Sequence, residues 1–179
     1  DLAAAGIQVP QVTGGGTGTL LQDLENPTHT ELQPGSYLVM DADYARVYEE
    51  EERLDLEQAL FVHTSVLTAA GDKRVVDAGA KAVDLVSGVP LLAPYVLDGK
   101  RRSVAPSTAV YSSGGDEHGV LRGVATGELA AGETALLVPR HCDPTVNLHS
   151  RFFCLRDGRV EDVWPIDARG WTAIDEDEG

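Results

Sequence analysis

With 179 residues, 42% of them hydrophobic, the chain is long enough for one globular domain with a buried core, or for one domain plus part of another. The formal net charge is -15, from 29 acidic and 14 basic side chains, and such a surface repels phosphate backbones and argues against a nucleic-acid partner. No apolar run approaches the ~20 residues of a membrane-spanning helix.

Two further features set expectations about location. No charged-then-apolar leader opens the chain. The two cysteines, Cys142 and Cys154, form no CxxC pair, so a reduced, cytoplasmic setting is expected. The acidic clusters at 49–52 and 175–178 read as solvated surface.

In chain order, residues 2–5 read as the end of a short helix and 7–12 (IQVPQV) as a strand. That strand runs into Thr13-Gly14-Gly15-Gly16-Thr17-Gly18-Thr19, a loop whose glycines let backbone approach a ligand closely. Residues 20–35 contain Pro27 and Pro34 and read as loop with at most a helical turn. Residues 36–41 (SYLVMD) are a strand candidate, Asp43 and Tyr44 a polar step, and 49–60 a place for a short helix.

From residue 59 the texture changes to short β-branched, apolar stretches punctuated by glycine and proline: 59–68, 74–83, 93–97, 104–111, 119–123 and 135–138. Residues 152–156 and 160–165 flank Asp157-Gly158, a strong hairpin signal. The fold class expected is therefore mostly β. Residues 1–45 would be the last elements of an α/β barrel, and 46–179 an antiparallel β-barrel-like domain. Strand 7–12 and its neighbours would need support from chain outside this segment.

Several residues carry candidate chemistry. The glycine loop offers free N–H groups and hydroxyls suited to a phosphate, or is a surface loop; it lacks the lysine of a Walker A motif and full GxGxxG spacing. His141 and Asp143 flank Cys142 after an apolar strand. If extended, that stretch would place imidazole and carboxylate on one side and the thiol on the other. Such a pair suits Mn, Zn, Fe or Mg and leaves coordination positions open, as catalytic sites do; a chance H-x-D is the alternative. His118 sits in a glycine-flanked loop, as cleft or plain turn. His149 could stand behind the metal ligands or simply lie on the surface. His63 and Trp164 read as core, Arg169 as a carboxylate binder or a surface ion pair, and His29 has no assigned role.

Four stretches in order resemble one family: 13–19 (TGGGTGT), 31–44 (ELQPGSYLVMDADY), 116–119 (DEHG) and 139–147 (PRHCDPTVN). Together they resemble the C-terminal half of metal-activated D-threonine aldolase and its relative D-serine dehydratase, alanine racemase-like enzymes that use pyridoxal phosphate. The resemblance implies a TIM-type barrel followed by a β-barrel. It implies cofactor phosphate on Gly15, Gly16 and Thr17, a divalent metal (Mn, Zn or Mg) on His141 and Asp143, and His118, Asp41 and Tyr44 lining the active site. It also implies a cytoplasmic homodimer acting on a small D-amino acid. The family's Schiff-base lysine and catalytic base are expected upstream of Asp1, because Lys73, Lys81 and Lys100 all fall in the β part. This chain alone should then hold half an active site, completed by an N-terminal barrel portion. Asp143 in place of the cysteine of the dehydratase's His-x-Cys pair favours a lyase of the aldolase kind. A non-catalytic metal-binding β module is the reading from another class.

Overall fold

The computed structural model describes residues 2–48, 56–93 and 109–169, together with the backbone of 95–97 and 101–103. It divides into two compact units, Asp1–Ala59 and Leu60–Gly179.

The first unit begins with turns rather than a helix, closed by Ala5 N–H to Leu2 O at 3.1 Å and Gly6 N–H to Ala3 O at 3.0 Å. The strand expected at 7–12 does not form a ladder there. Pro10 lacks an N–H, and pairing starts only where Val12 O accepts the Thr30 N–H at 2.9 Å. The strand proper is β1 (Thr13–Gly14), parallel to β2 (Glu31–Leu32), and these two have no further neighbour among the described residues. Between them Thr17–Thr19 makes a 3-10 turn that runs into α1 (Leu20–Glu25).

Two further expectations for this unit are corrected. The 36–41 stretch is not a strand. Ser36–Leu38 coils into a 3-10 turn, and Met40 takes φ 59 so that its N–H returns to Ser36 O at 2.7 Å. The Asp43-Tyr44 step lies inside α2 (Ala42–Val47), which Asp41 caps: its Oδ1 accepts from Asp43 N–H at 3.1 Å and Tyr44 N–H at 2.9 Å. Asp41 was the missed start signal, a carboxylate immediately before a helix-compatible run. Residues 58 and 59 return to the same corner, with Gln58 Nε2 donating to Met40 O and Ala59 N–H to Val39 O.

The second unit is an antiparallel barrel. Its strands are β3 (Val62–Ala70), β4 (Lys73–Val76), β5 (Leu91–Leu92), β6 (Tyr95–Leu97), β7 (Arg101–Ser103), β8 (Val110–Ser113), β9 (Gly119–Arg122) and β10 (Thr134–Val138). Six of them form one sheet in the order β5-β10-β3-β4-β9-β8, and the edge strands β5 and β8 approach each other, so the sheet is nearly closed. β6 and β7 form a separate two-stranded hairpin.

Side-chain alternation along the strands fills the barrel. Val62, Thr64 and Val66 of β3 point inward with Val76, Tyr111, Leu121, Ala135 and Leu137, while Val83 and Leu129 plug the core from loops. The same period-2 rule places His63 on the exposed outer face between buried Val62 and Thr64, so it is not the core residue its apolar neighbours suggested. The expected strand at 74–83 stops at Val76, because Asp77 turns its carboxylate back to Thr64 Oγ1 (2.6 Å) and Ser65 N–H (2.7 Å).

The hairpin at 157–158 forms as the turn signal predicts. β11 (Arg151–Arg156) pairs with β12 (Arg159–Pro165), and Asp157 and Gly158 take φ 50 and 73. Trp164 is 57% exposed rather than core, because this hairpin has no third strand among the described residues; its Nε1 donates to Asp162 Oδ2 at 2.8 Å. Several expectations fall wholly or partly outside the described residues: the acidic clusters at 49–52 and 175–178, the short helix at 49–60, Lys100, and the 104–108 part of the strand expected before Tyr111.

Candidate functional site

The stretch after β10 is helical, not extended. His141 is the N-cap of α3 (Cys142–Val146), with φ -133 and ψ 133. Pro144 is tolerated in the first turn because no helical partner exists there for an N–H, and Asp143 in that turn complements the positive helix end. The helix changes the expected side-chain directions. His141 Nε2 and Asp143 Oδ2 approach to 3.8 Å, but Cys142 is not turned to an opposite face: its Sγ lies 3.2 Å from Asp143 Oδ1. In exposure the three differ, with Cys142 buried, the His141 side chain 29% exposed and that of Asp143 73% exposed.

Imidazole nitrogen and carboxylate oxygen bind a divalent ion at roughly 2.0–2.2 Å each, so two such ligands on one ion lie roughly 3–4 Å apart. The 3.8 Å separation fits that requirement. Both donors suit a borderline or hard cation, and two protein ligands leave room for substrate.

Behind this pair lies a second layer that the sequence reading missed. Thr145, 1% exposed, donates its hydroxyl to His141 O at 3.0 Å and accepts the Asp84 N–H at 3.2 Å. The Asp84 carboxylate is occupied by Val86 N–H and Ser87 N–H, both at 3.0 Å. Burial pushes the Asp84 carboxyl upward, but those hydrogen bonds, that of the Ser87 side chain and the nearby His141 charge outweigh burial and hold it below its ordinary value. His149 Nε2 contacts Ala82 O at 2.7 Å, which ties the far end of α3 to the same 79–87 segment. Thr145 stands inside the HCDPT stretch, whereas Asp84 lies 61 residues away with no local signature.

The DEHG stretch supports that segment through backbone. Ala80 N–H donates to Gly115 O at 3.1 Å and Lys81 N–H to Asp116 O at 3.0 Å. A Cβ on Gly79 would stand 2.4 Å from Asp116 O, so only glycine permits the approach. His118 itself is exposed in this turn, and Lys81 pairs with Glu117. Arg169 is exposed after β12.

In the other unit, the glycine loop has the geometry of a cradle. Gly15 takes φ 77, and a Cβ there would stand 2.6 Å from Asp23 Oδ2; Gly16 is extended with open space where its Cβ would lie. The N–H groups of Gly16, Thr17 and Gly18 precede that of Thr19, the first to bond within the turn, at 3.3 Å to Gly16 O. Thr17 is buried, and its Oγ1 accepts the Tyr37 N–H at 3.0 Å, so its hydroxyl is committed inward. Thr17 O also accepts from the Tyr48 hydroxyl. Asp23 is held by Thr19 Oγ1 at 2.6 Å, with His29 Nδ1 at 3.6 Å. Tyr44 packs its ring edge beside Gly18, where a Cβ would approach it to 3.2 Å; Asp41 is buried as the cap of α2.

The family model described as "Putative serine dehydratase domain" matches residues 59–155, more than half of the chain. The chain belongs to this family. Among curated relatives it is 41% identical over 174 residues to a 3-hydroxy-D-aspartate aldolase of Paracoccus denitrificans (strain Pd 1222), covering 94% of this chain and 42% of that protein. It is 39% identical over 174 residues to a D-threonine aldolase of Arthrobacter sp, covering 96% and 42% respectively. Among solved structures, D-threonine aldolase from Filomicrobium marinum superimposes with a TM-score of 0.78 at 37% identity, over 94% of this chain and 43% of that one. The chain thus spans about two fifths of the length of the proteins it matches. The serine dehydratase family and the mostly β, barrel-forming fold stand as the resemblance implied. No helix among the described residues is long and apolar enough to cross a membrane.

Proposed function

We propose that this chain is the C-terminal part of a pyridoxal phosphate- and divalent-metal-dependent aldolase that splits D-3-hydroxy amino acids, D-threonine first, into glycine and an aldehyde. The approach of His141 Nε2 to Asp143 Oδ2 at the start of α3, in a chain whose relatives are named aldolases, carries the reading. In it, His141 and Asp143 hold the ion, and the backbone N–H groups of Gly15, Gly16 and Thr17 hold the cofactor phosphate. When bound, the cofactor supplies an electron sink for cleavage at Cα and the ion polarises the substrate hydroxyl. His118, Asp41 and Tyr44 are proposed to line the substrate side. The N-terminal barrel portion supplies the Schiff-base lysine and base, and the working protein is a cytoplasmic homodimer; its two cysteines are unbridged here.

D-serine dehydration is the second reading, favoured by the family model itself. Full-length protein assayed with Mn, Zn or Mg on D-threonine, 3-hydroxy-D-aspartate and D-serine separates them. Glycine from the first two supports the aldolase, ammonia from D-serine supports the dehydratase, and no turnover of any leaves a non-catalytic metal-binding module. Asp143→Ala should abolish metal-dependent turnover while the cofactor's visible absorbance persists; unchanged metal dependence refutes the ligand assignment. Borohydride should trap the cofactor on an upstream lysine.

A further inference from the structure

The structure points to a positioning device for the metal-binding end of α3 that lies outside the ligand pair. His141 is the N-cap of α3, so the backbone from which its imidazole projects is fixed by what holds its carbonyl and the turn that follows. One buried hydroxyl does this. Thr145 Oγ1 donates to His141 O at 3.0 Å and receives the Asp84 N–H at 3.2 Å, using donor and acceptor capacity at once. Asp84 is in turn held in place by its own turn, where its two carboxylate oxygens accept the Val86 and Ser87 N–H groups. The 79–84 segment that presents it is held on its other side by the Gly115 and Asp116 carbonyls, and His149 pins the end of α3 to Ala82.

We propose that Thr145 is the positioning residue of the metal site, coupling the 79–87 segment to His141 so that the imidazole is pre-aimed at the ion beside Asp143. The inference rests on the reading of His141 and Asp143 as metal ligands. It gives Thr145 a role a valine could not fill despite matching its shape. In Thr145→Val the His141 carbonyl and the Asp84 N–H lose their shared partner, α3 is freed to rotate at its first turn, and the ligand pair loses pre-organisation. Partners that bond the ligating side chains themselves change affinity by roughly 10–100-fold, and a partner of the ligand's backbone is expected at the low end of that range.

The test is direct Mn2+ binding to the full-length protein, read from the electron paramagnetic resonance of free Mn2+ and independent of turnover. Thr145→Val should weaken binding by about tenfold. Thr145→Ser, which keeps the hydroxyl, should stay near wild type. Thr64→Val removes a comparable buried hydroxyl on the barrel wall, where Thr64 Oγ1 meets Asp77, and should leave affinity unchanged. Should Thr145→Val prove too unstable to purify, the contrast between Thr145→Ser and Thr145→Ala carries the test, with only alanine weakening binding. His141→Ala should remove the site. If His141→Ala binds Mn2+ like wild type, or wild type binds none, the ligand reading fails and this inference falls with it. If His141→Ala loses binding but Thr145→Val matches wild type, the positioning role alone is wrong. A Thr64→Val loss equal to that of Thr145→Val would also overturn it, by showing general loosening.

Discussion

Arg74 is 3% exposed, yet none of its N–H groups meets a carboxylate among the described residues. Its guanidinium instead donates to five carbonyls. Nε reaches Leu129 O at 2.6 Å and Glu128 O at 3.0 Å. Nη1 reaches Gly71 O at 2.8 Å and Lys73 O at 2.9 Å, and Nη2 reaches Glu128 O at 2.6 Å and Ala125 O at 3.3 Å. The side chain thereby binds the β3–β4 turn to the 125–129 loop, where Leu129 sits fully buried at φ 51, a backbone region that costs about 1–2 kcal/mol for a residue with a Cβ. Arg74→Met keeps apolar bulk but removes every donor. A dry unsatisfied acceptor costs about 1–3 kcal/mol, and some of the five will find water, so a net loss of about 3–5 kcal/mol is expected. At about 2–4 °C per kcal/mol, the barrel's melting temperature should fall by about 6–20 °C. Arg74→Lys, with three donors on one nitrogen, should recover only part of this. Thermal unfolding gives the magnitude, and amide hydrogen exchange should show early loss of protection at the turn N–H groups of Glu128 and Glu133, which bond Ala125 O and Ala130 O. If Arg74→Met melts within about 1 °C of wild type, carbonyl capping by this cation is not what holds the loop.

Three other outcomes follow from packing and charge. Gly119→Ala should be destabilising by about 1–3 kcal/mol or more in denaturant titration, because the new Cβ would stand 2.2 Å from the ring of buried Tyr111 and 2.7 Å from Ala78 O. Gly158→Ala should cost about 1–2 kcal/mol and loosen the β11–β12 hairpin in hydrogen exchange, since φ is 73 there. For Asp77, burial pushes the carboxyl up, but hydrogen bonds from the Thr64 hydroxyl, Ser65 and its own N–H prevail and hold it below the ordinary 3.8. A depressed folded value stabilises fully above the unfolded value and is lost as pH falls through the folded one. Stability measured from pH 6 down to pH 2 should therefore drop below about pH 4, and Thr64→Val should flatten that drop; an unchanged acid limb would refute the assignment.

The sequence by itself determined what depends on near neighbours in the chain. The β texture after residue 59 and the Asp157-Gly158 hairpin were legible because turn chemistry and period-2 patterning act over a few residues. The ordered motifs were enough to reach the family. Local reading failed where the chain folds back on itself. Residues 36–41 look like a strand, but Met40 turns its N–H to Ser36, and residues 58 and 59 bond that corner. HCDPT looks extended, but its proline and acidic residue suit a first helical turn. Only tertiary structure decided burial and partnership. His63 faces out because its neighbours on β3 face in, and Trp164 is exposed because its hairpin has no third strand among the described residues. Arg74 and Thr145 gain their roles from carbonyls and an N–H more than 50 residues away, brought close by barrel closure and by loops that no local propensity encodes. His141 and Asp143 were legible as a candidate pair; the Asp84 N–H to Thr145 bond behind them was not, because a hydrogen bond across 61 residues leaves no mark on the intervening sequence.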